Sequence, residues 1–82
     1  CGGSGRFLLK SAIKSGCDAY VTSDCKYHDY FDVEGRLLLV DAGHYETEQF
    51  TPEIFYEWLH GKFPTFAIRF TKTTTNPVNY YI

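Results

Sequence analysis

Residues 37–50 read LLLVDAGHYETEQF, and the parsing of this stretch decides the fold. With Arg36 before it, the run through Ala42 is a continuous apolar strand, of the kind covered on both faces of a parallel sheet. Gly43 then breaks the strand. From His44 to Gly61 the sequence HYETEQFTPEIFYEWLHG is the longest helical stretch, and Pro52 interrupts it or starts a second segment. Thr51-Pro52-Glu53 fits N-cap, first and second helical positions, and Ile54, Phe55, Trp58 and Leu59 supply an apolar stripe. A strand that feeds a helix in this way implies a crossover, so the rest of the chain is read for matching units.

Upstream, Ser4 is a plausible N-cap, and Phe7, Leu8, Ala12 and Ile13 recur at helical spacing, with Gly16 as a stop. DAYVT (18–22) is a short buried strand, and DCKYHDYFDVEG (24–35) a short helix ended by Gly35. Downstream, TFAIRFTKTT (65–74) alternates as a strand and TNPVNYYI (75–82) forms an extended tail. The order α-β-α-β-α-β places the chain in the α/β class, as one domain over residues 1–82. Right-handed crossovers and a mainly parallel sheet follow. The chain lacks methionine and opens CGGSG, a glycine turn running straight into a helix. That pattern predicts that the first strand of the sheet is missing and that the chain is a fragment.

Eighty-two residues with net charge -2 and 18% aromatics make a small domain with a thin core. Lys and Arg are scattered, so no basic stripe exists to release counterions and nucleic acid is unlikely as a partner. The longest apolar run, Leu37–Val40, is far too short to span a membrane. Three cysteines without CxxC spacing read as reduced thiols of a cytoplasmic environment.

Ligands of open α/β sheets bind at the carboxyl ends of the strands. There the glycine turn, TSDCKYH (22–28) and DAGHYETE (41–48) converge. His44 and Glu48 stand at i and i+4, on one helical face about 5–6 Å apart at Cβ, a spacing at which imidazole and carboxylate can share one Zn, Mn or Fe ion. The alternative is a helical first turn whose glutamates complement the macrodipole. Asp24 and His28 repeat the spacing: ligands, partners that orient a ligand, or a capping Asp beside a half-exposed His. Cys25 with His28 does not suffice for a structural zinc site. GGSG could present N–H groups to an anion, but it matches neither dinucleotide nor P-loop patterns. A tight turn with positive φ explains its glycines without a ligand.

CGGSG, YVTSDCKYHDYFD, DAGHYETE and TNPVNYY together resemble, in order, the C-terminal portion of the NIF-three family, also labelled GTP cyclohydrolase I type 2 homologues. The resemblance implies an α/β fold with a dinuclear divalent-metal site. The family draws ligands from an N-terminal His-rich motif and an acidic residue, which have no counterpart here, and from a C-terminal His and Glu that match His44 and Glu48. Asp24 and His28 match positions near the metals and are the candidates for handling protons or orienting water. The resemblance further implies toroidal homo-oligomers, typically hexamers. Two functions compete. One is a metal-dependent hydrolase acting on a nucleotide-like ring or a phosphoester. The other is a non-catalytic interaction or regulatory protein with structural metals and a protein partner.

Overall fold

The computed structural model describes all residues, 1–82, and the chain packs as two compact units, residues 1–49 and 50–82. In the first unit a 3₁₀ turn at Arg6–Leu8 leads into α1 (Leu9–Ser15), followed by β1 (Ala19–Thr22), α2 (Tyr27–Asp32), β2 (Leu38–Asp41) and α3 (His44–Glu48). The second unit contains α4 (Thr51–Lys62). The α/β class and the parallel pairing are as the sequence implies.

β1 and β2 pair in parallel, with Ala19 opposite Leu38 and Thr22 opposite Asp41. A parallel pair needs a crossover, and α2 supplies it. On the other side of β1, Ser4 bridges Ser23 in parallel, and the Cys1 ammonium donates to the Val21 carbonyl at 2.9 Å. Cys1–Ser4 therefore run beside β1, so Ser4 is a sheet residue rather than the expected helix cap. α1 ends as expected: Gly16 adopts φ 71° and its N–H returns to the Ile13 carbonyl, the left-handed terminus that glycine allows at little cost.

Leu9, Val33 and Leu39 form the buried core, with Ile13, Tyr20, Cys25 and Leu37 packed against it. Leu39 points into this core, whereas Leu38 is 64% exposed. The four-residue apolar run thus has only one covered face in this unit. Alternating strand positions face opposite ways, and α1 and the end of α2 pack on one of them.

Two boundaries differ from the sequence reading. The helical stretch after Gly43 breaks at Gln49–Phe50, and Phe50, not Thr51, is the N-cap of α4, which leaves Pro52 in the first turn. Proline is tolerated there because that N–H has no intrahelical partner. The strand expected over 65–74 carries no ladder. Its alternation describes two faces but supplies no partner strand. Phe70 instead packs on Tyr56 with ring centroids 4.8 Å apart, and the Thr71 hydroxyl takes the Thr73 N–H, a local bond that competes with pairing. The α4 stripe is formed, yet Ile54, Phe55, Trp58 and Leu59 are all exposed. No helix is long and apolar enough to cross a membrane.

Candidate metal centre

The loops after β1 and β2 and the opening glycine turn meet at one place, as the parallel topology requires. Asp41, the last residue of β2, joins two of them. Its Oδ2 accepts the Cys25 N–H at 3.0 Å, and its Oδ1 accepts the Gly43 N–H at 3.1 Å. The second contact is an Asx turn, the local bond that makes Asp a favoured turn residue. Gly43 takes φ 84°, which redirects the chain so that α3 begins at once with His44.

His44 and Glu48 sit one turn apart on α3, with His44 Nε2 3.2 Å from Glu48 Oε2. Asp24 approaches the other side of the ring: its Oδ2 lies 2.6 Å from His44 Nδ1. To reach there, Asp24 adopts φ 58°, the one non-glycine residue with positive φ. Asp is among the few residues that enter this region readily. All three side chains are about half exposed. The hydrogen bond that His44 Nδ1 donates to Asp24 leads, and the charges of Asp24 and Glu48 add to it, in raising the His44 imidazole above its ordinary 6.5.

The glycine turn forms the floor. Gly3 (φ 64°) donates its N–H to Thr47 Oγ1 at 2.8 Å, so that donor is not available to an anion. The Thr47 hydroxyl itself bonds back to the Gly43 carbonyl at 2.9 Å. The Gly3 carbonyl accepts from Thr22 Oγ1 at 3.2 Å and from the Ser23 hydroxyl, two side chains with no exposed surface.

Of the four residues singled out by sequence, the structure brings Asp24, His44 and Glu48 together. His28 stands apart on α2, exposed, its ring edge-on to Tyr27 at 5.4 Å. The i,i+4 link between Asp24 and His28 is not realised, because α2 begins only at Tyr27 and Asp24 lies outside it. Lys26 is the N-cap, and its N–H goes to Asp29 Oδ2 at 2.7 Å. Asp29 also takes Arg6 in a two-point contact of 2.9 and 3.0 Å. The Arg6 hydrogen bonds, with the Lys26 N–H behind them, push the Asp29 carboxyl down to about 2. Cys25 is half-buried, and burial with the nearby Asp41 charge raises its thiol, which disfavours the thiolate form that binds metals.

Gly3, Asp41 and Thr47 also build the site, which the sequence reading does not assign to them. For Asp41 the sequence carries a signal in the Asp-x-Gly turn pattern, whereas for Thr47 it carries none. With metal–donor bonds of about 2.0–2.2 Å, two neighbouring donors on one ion stand about 3.0–3.5 Å apart. His44 Nε2 and Glu48 Oε2 meet that spacing with Nδ1 turned to a carboxylate. No group of three or more His, Cys, Asp or Glu side chains is arranged to enclose an ion, and His44 and Glu48 alone have the spacing of two donors on one ion.

The sequence profile of the Duf34/NIF3 (NGG1p interacting factor 3) family matches residues 1–77. A GTP cyclohydrolase 1 type 2 homolog of Nostoc sp. is 47% identical over 49 residues, covering 58% of this chain and 19% of that protein. The protein of the same name from Streptococcus pneumoniae is 34% identical over 84 residues, covering 98% and 32%. The one from Staphylococcus epidermidis is 31% identical over 83 residues, covering 96% and 23%. The chain thus spans between a fifth and a third of the length of these relatives. From the profile match over nearly its whole length, this chain belongs to the Duf34/NIF3 family.

Proposed function

We propose that His44 and Glu48 are ligands of a divalent metal centre, Zn, Mn or Fe, that the intact protein completes with further ligands as a dinuclear site. The reaction class we assign to it is metal-dependent hydrolysis. The observation that carries this reading is the His44 geometry. One ring nitrogen faces Asp24 at 2.6 Å and the other faces the Glu48 carboxylate at 3.2 Å. Carboxylate–imidazole–metal chains use this order, in which the carboxylate holds the Nδ1 proton and fixes which nitrogen is free to bind. When bound, such an ion brings the pKa of a coordinated water toward ~7 and clamps substrate oxygens.

In this scheme Asp24 holds the ring of His44 and leaves Nε2 aimed at the ion. His28, outside the trio and exposed on α2, is assigned to substrate or water. The relatives' name, GTP cyclohydrolase 1 type 2 homolog, favours a nucleotide-like ring as substrate, and a phosphoester suits two metals equally. A homo-oligomer goes with this reading, supported by the uncovered aromatic stripe of α4.

A second reading, an interaction protein in which the trio or its metal is structural, draws on the same geometry. Both imidazole nitrogens already have carboxylate partners. Elemental analysis of the intact protein and its His44→Ala variant, beside hydrolysis assays on GTP and phosphoesters, separates the two. Hydrolysis predicts metal and activity lost in the variant while the melting temperature falls by only a few degrees. Unchanged activity in His44→Ala overturns the catalytic reading, and a large melting loss favours the structural one.

A further inference from the structure

The Gly3 α-carbon lies directly against the two proposed ligands. A Cβ at this position would overlap Glu48 Oε1 and stand 2.9 Å from Glu48 Cδ and 3.3 Å from His44 Nε2. Atoms that close overlap, so any side chain at position 3 requires the Glu48 carboxylate to shift from its place beside His44 Nε2. Nor can the turn yield easily. The Gly3 N–H is taken by Thr47, on the same helix as the ligands, and its carbonyl by the buried Thr22 and Ser23 hydroxyls at the end of β1. The peptide is pinned from both sides, and Glu48 is the movable part.

We propose that Gly3 is a positioning residue for the metal centre: its bare α-carbon keeps open the space in which the Glu48 carboxylate lies beside His44 Nε2. This rests on the reading of His44 and Glu48 as ligands. The functional role of the opening glycines is then steric, reserving volume for a ligand contributed by a residue forty-five positions away.

Position 3 also has positive φ, so backbone strain must be separated from displacement of the carboxylate. Gly35 provides the control: its φ is 71° and nothing lies within 4 Å of a Cβ placed on it. The experiment is a Zn²⁺ and Mn²⁺ titration of the intact protein, with melting curves, for wild type and the Gly3→Ala, Gly35→Ala, Glu48→Ala and Gly3→Ala/Glu48→Ala variants. We expect Gly3→Ala to lose about 10–100-fold in metal affinity, the range for residues that orient ligands. Gly35→Ala should keep wild-type affinity with a comparable melting loss. In the Glu48→Ala background, Gly3→Ala should cost no further affinity, since residues acting through one another are not additive.

Wild-type affinity in Gly3→Ala, with affinity lost in Glu48→Ala, overturns the proposal and leaves the ligand reading standing. Unchanged affinity in Glu48→Ala, or no binding by wild type, removes both. If Gly3→Ala fails to fold, the double variant decides. Recovery of folding once Glu48 is truncated identifies the carboxylate as the obstacle, and continued failure overturns the proposal.

Discussion

Asp24 concentrates the site's logic in one residue. It occupies a left-handed backbone conformation, and in return its carboxylate reaches His44 Nδ1. Asn tolerates the same backbone region and keeps the side-chain shape, but removes the charge that favours an oriented imidazole. Asp24→Asn is therefore expected to weaken Zn²⁺ binding by about tenfold or more while shifting the melting temperature little. Isothermal titration and a melting curve on the same sample check both halves. An equal affinity in the variant would make Asp24 a bystander. Sequence alone found Asp24, His44 and Glu48 through their types and spacing, but it tied Asp24 to His28. The contact with His44 crosses from one loop to the next, and only the β1–β2 register brings those loops together.

Among the elements, the first unit buries only Leu9, Val33 and Leu39 as its apolar core, so individual polar ties count for much. The Arg6–Asp29 contact links the turn before α1 to the first turn of α2, and Asp29 is almost fully buried. Asp29→Asn leaves Arg6 with a weaker partner and is expected to destabilise the fold by about 2 kcal/mol at neutral pH. The sign with pH follows from linkage: the folded carboxyl lies at about 2 against an ordinary 3.8. Its stabilisation is thus fully present above the ordinary value and is lost as pH falls through the folded one. Melting curves of the wild type and Asp29→Asn should lie apart from neutral pH to pH ~4 and converge toward pH ~2. A gap that persists at the acid end would show that the charge is not the source.

The parallel strands are legible because the short apolar runs at 19–22 and 37–40 are bounded by the glycine stops Gly16, Gly35 and Gly43. Val21 and Leu38 nonetheless turn out exposed, and β1 is not the buried strand its composition implies. The strand over 65–74 is not legible. Alternation in Phe66, Ile68 and Phe70 reports the faces of an extended segment, while a strand also needs a neighbour to bond. In the same way, the helix break at Gln49–Phe50 was placed within a few residues by Pro52, but the capping position depends on backbone geometry that the sequence does not state.

For the molecule as a whole, the chain spans a minority of each relative's length. Asp24, His44 and Glu48 lie where the carboxyl ends of the parallel strands meet, and the metal centre proposed above takes His44 and Glu48 as two of its ligands. The same arrangement explains how an imidazole and two carboxylates can remain half exposed yet ordered: Gly3, Thr47 and Asp41 fix the backbone around them. In the proposed centre His44 Nε2 and the Glu48 carboxylate face a metal ion. Anomalous diffraction from crystals of the intact protein, collected at the absorption edges of Zn, Mn and Fe, tests it most directly. The expected result is an anomalous peak within about 2.3 Å of both His44 Nε2 and a Glu48 oxygen, with Asp24 still bonded to Nδ1. Anomalous density only at other residues, with His44 and Glu48 in direct hydrogen-bond contact in metal-saturated crystals, would contradict it.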